Sequence, residues 1–235
     1  MRSLFAATLL SVFTSLAPAT SLFAESPASE ATVMFNGETL EGWRGRSDLW
    51  SVSEGAIVGT STAEAPLKSN TFLIYEGDVP ASFELTAQFL IKGGNSGIQY
   101  RSKVVDEKEF VVGGYQADID FGLTFAGINY EERGRGILAQ RGQRVTFAED
   151  GSKTVDQFGD AKKIGEVIKA GEWNHFRVVA KGNVLQHYIN DTLTSEVIDG
   201  QSEKAAKDGV IALQLHAGPP MVIMYKDLKV KAIQE

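Results

Sequence analysis

Alternation of apolar and polar residues is the feature of this sequence that most restricts its fold. In residues 82–92 (SFELTAQFLIK), an apolar side chain stands at every second position from Phe83 to Ile91, and only Leu90 interrupts the polar side. Successive side chains of a β-strand point to opposite faces, so this pattern predicts a half-buried antiparallel strand.

Similar runs continue along the chain, separated by Gly, Asn and Asp turn signals: GIQYRS, INYEE, GILAQRG, RVTFAE, NHFRVVAKG, VLQHYIND, GVIALQLHA and MVIMYKDLKVK. The turn AKGN between two of them predicts a hairpin. Only residues 202–209 (SEKAAKDG) and part of 160–171 (DAKKIGEVIKAG) have a helical pattern. About a dozen strands with almost no helix predict an all-β sandwich or barrel.

The N-terminus has the pattern of a secretory signal. Residues 1–24 combine Arg2, an apolar run over 4–16 and small residues at Ala19 and Ala24, which predicts cleavage after one of these two alanines. Residues 25–32 (ESPASEAT) are expected to form a flexible leader before a single domain at 33–233. The alternative, an uncleaved anchor, is disfavoured because the apolar run is shorter than the roughly 20 residues of a membrane span. We therefore expect a secreted or periplasmic protein that has no membrane partner after signal cleavage.

Charge and cysteine content restrict the chemistry. A formal net charge of −7 disfavours nucleic acid and anionic membranes as partners. The sequence contains no cysteine, which excludes thiol catalysis and cysteine-based zinc sites. Catalysis is left to carboxylates, three histidines, Arg, Lys, Tyr and hydroxyl groups.

Residues 113–122 (GGYQADIDFG) predict a strand with an unusual polar face. Gln116, Asp118 and Asp120 alternate with Tyr115, Ala117 and Ile119. Three interpretations stay open: a solvated strand face, a carbohydrate site whose side chains bond vicinal hydroxyls, or a calcium site completed by Glu131 or Glu132.

Two other strands offer candidate groups. After a predicted turn at Asn95, Arg101 is a candidate to bind a ligand oxygen or to pair with an acidic neighbour. Gln214 and His216 share the polar face of GVIALQLHA, just before the loop AGPP. The near-neutral reference pKa of histidine suits His216 for proton transfer, although a lone histidine is more often structural.

The run NYEERGRGILAQRG places Glu131 and Arg133 among several glycines. Surface ion pairing explains such a run, and so does a loop at the rim of a ligand groove, where these two residues would contact substrate.

Six motifs occur in an order that resembles the 3-keto-disaccharide hydrolase family: MFNGETLEGW, NSGIQYR, GYQADID, GEWNHFRVVAKGN, HYIND and GVIALQLHAGPPMVIMYKDLKV. The resemblance spans nearly the whole chain after the predicted signal. It implies a concanavalin A-like jelly-roll β-sandwich of two curved antiparallel sheets, with a carbohydrate groove on the concave face. Asn190-Asp191 and Tyr225-Lys226-Asp227 depart from the family pattern, at positions that look structural.

The resemblance also implies an activity, cleavage of the glycosidic bond of a 3-keto glycoside or disaccharide by C2 proton abstraction, elimination and hydration. On this interpretation Asp118 or His216 is the base, Arg101 or a bound cation polarises the ketone, and Gln116, Asp120 and Gln214 hold hydroxyl groups. The alternatives are a non-catalytic carbohydrate-binding module of the same fold and a two-carboxylate glycosidase.

Overall fold

The computed structural model describes residues 30–234. The predicted signal peptide and most of the predicted leader therefore lie outside the described residues. Thr32, the last residue of that leader, already belongs to the first strand, β1 (Thr32–Val33).

Strands dominate the described chain and form two sheets. The ten-stranded sheet contains β1, β3 (Trp50–Ser53), β4 (Ala56–Ser61), β6 (Phe83–Lys92), β11 (Gln143–Phe147), β12 (Lys153–Gln157), β13 (Asn174–Lys181), β14 (Val184–Ile189), β15 (Thr192–Asp199) and β17 (Met221–Ala232). The seven-stranded sheet contains β2 (Trp43–Arg44), β5 (Thr71–Tyr75), β7 (Asn95–Asp106), β8 (Val111–Asp120), β9 (Asn129–Glu132), β10 (Gly136–Ala139) and β16 (Val210–Leu215).

Pairing is antiparallel in both sheets with one exception. The larger sheet has the order β12-β11-β15-β14-β13-β6-β17-β4-β3, with β1 on β17, and the smaller one β10-β9-β8-β7-β16-β5-β2. β11 and β15 pair in parallel. The predicted hairpin at AKGN is confirmed, since β13 and β14 pair up to Lys181 and Val184.

The two sheets share one hydrophobic core. Alternate residues of β6, from Phe83 to Ile91, are buried in it, and Tyr115, Ala117 and Ile119 of β8 face it from the other sheet. Both alternation patterns predicted from the sequence are therefore confirmed, and the structure is an all-β two-sheet sandwich.

Helix is scarce among residues 30–234. The single α-helix, α1 (Ala161–Gly165), lies in the segment predicted to be helical, and the Asp160 carboxylate caps it by accepting from the Lys163 N–H at 2.8 Å. The prediction of helix in residues 202–209 is wrong, because that segment forms a turn at residues 202–204 and is otherwise irregular. No helix of the described chain is long and apolar enough to cross a membrane.

Candidate active site

Polar side chains of the seven-stranded sheet line a cavity of about 440 Å³, on the face that points away from the core. This volume lies within the usual range for small-molecule sites. The central strands β8, β7 and β16 contribute Gln116, Asp118, Asn95 and Gln214, and His216 follows the end of β16. The structure thus brings together four residues predicted from the sequence, Gln116, Asp118, Gln214 and His216, and Asp120 also lines the cavity.

Asp118 is a buried carboxyl group held by two amides. Its side chain is only 5% exposed, and it accepts from Asn95 Nδ2 at 2.7 Å and from Gln116 Nε2 at 3.1 Å. Burial raises the pKa of Asp118 to about 7; the two amide hydrogen bonds oppose this rise, and the charges of Asp120 and Glu132 add to it. A carboxyl group with this pKa can take up or release a proton near neutral pH.

A chain of side-chain hydrogen bonds orients the Gln116 amide toward Asp118. Ser102 Oγ donates to Gln99 Oε1 at 2.7 Å, and Gln99 Nε2 donates to Gln116 Oε1 at 2.7 Å. Because its oxygen is occupied in this way, Gln116 presents its NH₂ group to the carboxylate. Gln99 was not predicted as a site residue, although it stands on the same alternating face as Gln116.

Gly97 provides the space that this arrangement needs. It pairs with Asp118 across β7 and β8, and a Cβ atom on Gly97 would lie 2.6 Å from Cγ and Cδ of Gln116. Only a glycine therefore lets the Gln116 side chain lie across β7.

Gln214 presents an unpaired amide to the cavity. The residue is completely buried, and neither Nε2 nor Oε1 has a hydrogen-bond partner among the described residues. A buried amide without partners costs free energy, typically about 1–3 kcal/mol. A ligand that both donates to and accepts from this amide would remove that cost.

Asp120 makes hydrogen bonds that the sequence did not predict. Its carboxylate accepts hydrogen bonds from the backbone N–H groups of Gly122, Thr124 and Phe125 at 3.2, 2.8 and 3.1 Å. Asp120 lines the cavity, but its oxygens hold the following loop in place, so it acts as a positioning residue for that loop.

The β9 side of the cavity contains residues that the sequence-based prediction did not select as substrate contacts. Tyr130 and Glu132 alternate along β9 and line the cavity, and Asn70 Nδ2 donates to Glu132 Oε1 at 3.2 Å. The alternation of NYEE was the available signal, since it places Tyr130 and Glu132 on one face. Asn95 was expected in a turn but begins β7.

The expectation that Arg101 lies beside Asp118 and His216 is wrong. Arg101 is buried and lines a different cavity, where its guanidinium donates to the backbone carbonyls of Ala81, Gly182 and Ala206. The physical cause is a register shift in β7 between Tyr100 and Lys103, where Arg101 adopts a left-handed backbone conformation with φ of 44°. Arg101 therefore ties together three connecting segments.

Glu131 and Arg133 also lie outside the candidate site. Glu131 Oε2 accepts from Arg135 Nε at 2.6 Å, on the side that faces the other sheet. Arg133 is exposed in the turn after β9, with φ of 56°. The predicted substrate contacts of these two residues fail because Glu132, one position away, is the residue on the cavity face.

The predicted calcium alternative receives no support from the geometry. Among residues 30–234 no group of three or more His, Asp or Glu side chains is arranged to hold a metal ion. The acidic groups that meet in the cavity are instead hydrogen-bonded to amides.

Comparison with known structures gives the fold. A protein from Parabacteroides distasonis, provisionally named a glycosyl hydrolase, shares 17% identity with a TM-score of 0.57, covering 87% of this chain and 100% of its own. The carbohydrate-binding module CBM66 from Bacillus subtilis shares 15% identity with a TM-score of 0.53, covering 86% and 100%. A Bacillus subtilis protein of unknown function with a galectin-like fold shares 12%, with a TM-score of 0.54, covering 82% and 90%. The predicted concanavalin A-like jelly-roll sandwich is confirmed.

Comparison of the sequence itself gives the family. No curated protein matches the chain. The family model described as a 3-keto-alpha-glucoside-1,2-lyase-like domain matches residues 30–231, nearly the whole described chain. The family resemblance of the six motifs is thereby confirmed, and the protein belongs to the 3-keto-alpha-glucoside-1,2-lyase-like family.

Proposed function

We propose that the protein is an exported carbohydrate-active enzyme that cleaves the glycosidic bond of a 3-keto-α-glucoside by elimination, followed by hydration. Family membership supports the substrate class. The observation that carries the proposal is Asp118, a buried carboxyl group with a pKa of about 7 in a small-ligand cavity. The predicted signal peptide supports export.

The chemistry needs a base for a weakly acidic C–H bond. A ketone at C3 acidifies the hydrogen on C2, and the Asp118 carboxylate would remove that hydrogen as a proton. The electron pair of the C2–H bond forms a C2–C3 double bond, and the carbonyl pair moves to the C3 oxygen, which gives an enolate. When the ketone re-forms, the C2–C3 pair becomes the double bond between C1 and C2 and the C1–O bond breaks. The leaving oxygen keeps the electron pair of that bond. A base is most effective when its pKa lies near the working pH, as for Asp118.

His216 is the candidate for protonating the leaving oxygen, since it lines the same cavity as Asp118. In its charged form the imidazolium would donate one proton to that oxygen, so the products are a free alcohol or sugar and an unsaturated keto sugar. Addition of one water molecule across the new double bond then places the hydroxyl on C1 and returns a hydrogen to C2. The net reaction consumes one water.

Gln214 would stabilise the charge that develops on the ketone oxygen. When the C2 proton leaves, negative charge moves to the C3 oxygen, and an N–H donor aimed there lowers the barrier. The Gln214 Nε2 group is buried and unpaired, so it can donate without first breaking a hydrogen bond. Asn95 and Gln116 remain bonded to Asp118 and hold the base in position.

The decisive experiment compares a 3-keto-α-glucoside with the unoxidised α-glucoside. Purified protein is incubated with each, and release of the leaving group is followed by chromatography. We expect cleavage of the keto compound only, because the parent lacks the acidic C2 hydrogen. A transient absorbance of the conjugated enone would further support elimination.

Other outcomes point to the alternative functions. Cleavage of both compounds at similar rates would indicate a two-carboxylate glycosidase, with Asp118 and Glu132 as its first candidates. Binding of sugar without cleavage of either would indicate a carbohydrate-binding module. Either result contradicts the proposal.

A further inference from the structure

One side of the cavity presents apolar side chains to solvent. Phe125 is 43% exposed and Ile137 is 39% exposed, and both line the cavity together with the buried Ile128. Single exposed apolar residues are common on protein surfaces and need no explanation. Here, however, they line one cavity whose remaining lining is largely polar. We call Phe125, Ile128 and Ile137 the apolar wall.

The loop that carries Phe125 and Ile128 is held in place from two sides. The Asp120 carboxylate binds three of its N–H groups, including that of Phe125. Arg141 Nη1 donates to the carbonyl oxygens of Leu123 and Ala126, each at 2.8 Å. The Phe125 carbonyl accepts from the Ile128 N–H at 3.1 Å. An exposed aromatic ring on a fixed backbone is arranged for contact before any ligand arrives, which reduces the entropic cost of binding.

We propose that the apolar wall is the leaving-group subsite and that it accepts an apolar aglycone, an aryl or alkyl group, in preference to a second sugar. This inference rests on the proposed function, since it assumes that the sugar ring lies over Asp118 and Gln214. The side chains of the wall have no hydrogen-bond donors or acceptors. A sugar could lay only its C–H faces on them, since hydroxyls directed at them would lose bonds to water without replacement, whereas an aryl or alkyl group has no such hydroxyls to desolvate.

The position of the polar groups agrees with this division of the cavity. The hydrogen-bonding side chains Gln116, Asp118 and Gln214 stand on the central strands β8 and β16, where a keto sugar finds donors and acceptors. Phe125 and Ile128 belong to the loop after β8, and Ile137 to the edge strand β10. Tyr130 stands on β9, which lies between β10 and β8 in the strand order.

Binding is measured with unoxidised compounds, so that the result does not depend on turnover. Isothermal titration compares phenyl α-glucoside with methyl α-glucoside, two ligands that share the sugar and differ in the aglycone. We expect the phenyl compound to bind about tenfold more tightly, because it buries the additional ring against the wall. Phe125→Ala should reduce this ratio to about threefold or less, while affinity for methyl α-glucoside stays within twofold.

The chain offers a matched control. Phe121 begins the same loop and is also 43% exposed, but it does not line the cavity. Phe121→Ala should leave the ratio unchanged. Ile137→Ser tests the wall from another strand and should also lower the ratio, which keeps the inference testable if Phe125→Ala fails to fold.

Three results would overturn the inference: equal affinity for the two glucosides, no measurable affinity for either, or equal losses in Phe121→Ala and Phe125→Ala. A phenyl preference that depends on Phe125, without cleavage of any 3-keto-α-glucoside, would support the subsite and contradict the proposed function instead. If cleavage does occur, kcat/KM for a 3-keto phenyl glucoside should fall more in Phe125→Ala than kcat/KM for a 3-keto disaccharide.

Discussion

Two buried aspartates, Asp199 between the sheets and Asp118 on the outer face of β8, show how the same side chain can serve either stability or proton transfer. Asp199 ends β15 and lies between the sheets, where it accepts from Arg135 Nη2 at 2.6 Å and from the Tyr115 hydroxyl at 2.5 Å. Burial alone would raise the pKa of Asp199, but the bonds from Arg135 and Tyr115 lower it below its ordinary value. Asp118 is also buried, on the outer face, and its pKa rises to about 7.

The difference lies in the hydrogen-bond donors. Asp199 forms an ion pair with Arg135, and Arg135 also forms an ion pair with Glu131. Asp118 has only the neutral amides of Asn95 and Gln116, and it adjoins a cavity instead of a packed core. A charge-paired carboxylate stabilises the fold, whereas a carboxyl group held by amides keeps its proton available for transfer.

The largest effect on stability is expected at Asp199. Asp199→Asn removes the charge opposite Arg135 and should destabilise the protein by about 3 kcal/mol, with a fall in melting temperature of roughly 10 °C. The same substitution at Asp156, an exposed partner of Arg144, should cost less than about 1 kcal/mol. Chemical unfolding measures both. A change at Asp199 no larger than that at Asp156 would show that the inner network is not a stabilising device.

Asp118→Asn should act on turnover instead. The substitution keeps the shape but removes the base, so kcat/KM for a 3-keto-α-glucoside should fall by roughly 10²-fold or more. The melting temperature should stay close to that of the wild type or rise. Asp191→Asn, which removes a carboxylate from an exposed turn, is the control for loss of charge and should leave activity unchanged. Full activity in folded Asp118→Asn would contradict the assignment of the base.

The sequence predicted those parts of the site that follow strict alternation. The pattern of β8 placed Gln116 and Asp118 opposite Tyr115 and Ala117, and the structure has the same arrangement. Alternation predicts the wrong face where the pairing of the strand is irregular. The register shift at Arg101 removes that residue from the face on which its position predicted it.

Two further features depend on information that alternation does not contain. Whether Glu131 or Glu132 reaches the cavity depends on the phase of β9, which is fixed by its pairing with β8 and not by its own sequence. The function of Asp120 depends on the backbone amides of the loop after it, since three of them bind its carboxylate. The parallel pairing of β11 with β15 could not be predicted either, because alternation looks the same in parallel and antiparallel strands.

The pH dependence of stability gives a more specific test of the raised pKa of Asp118. Between an ordinary value of 3.8 and about 7, folded Asp118 binds a proton that the unfolded chain has released, so its contribution to stability falls as the pH rises. His187 acts oppositely, because burial lowers its pKa from 6.5 to about 4 and folding then releases a proton. Its contribution is lost as the pH falls through this range.

Asp118→Asn removes one of these opposing effects. Relative to the wild type, the variant should gain stability as the pH rises from about 4 to 7, by on the order of 1 kcal/mol per pH unit. Urea unfolding at four pH values in this range measures the difference. Parallel curves for the two proteins would show that Asp118 is already charged at acidic pH and that its environment resembles that of Asp199.

The smallest expected effect concerns the hydrogen bonds that link Gln99, Gln116 and Asp118. Gln99→Leu removes the donor that occupies the Gln116 oxygen, so Gln116 is free to rotate and its bond to Asp118 weakens. Because that bond lowers the pKa of Asp118, its loss should shift the acidic limb of the kcat/KM profile upward by roughly half a pH unit, with about a twofold loss of rate at pH 7.

We expect other groups near the carboxyl group to stay in place in this variant, since the side-chain hydrogen bonds of Gln99 go to Gln116 and Ser102. Gln88→Leu, on the outer face of the other sheet, is the matched control and should leave the profile unchanged. A uniform loss of rate at all pH values in Gln99→Leu would mean that Gln99 supports the packing of the site and not the proton affinity of Asp118. An upward shift of the limb would show that the hydrogen-bond chain from Ser102 to Gln116 lowers the pKa of Asp118. The guanidinium of Arg135 lowers the pKa of Asp199 in the same direction and far more strongly.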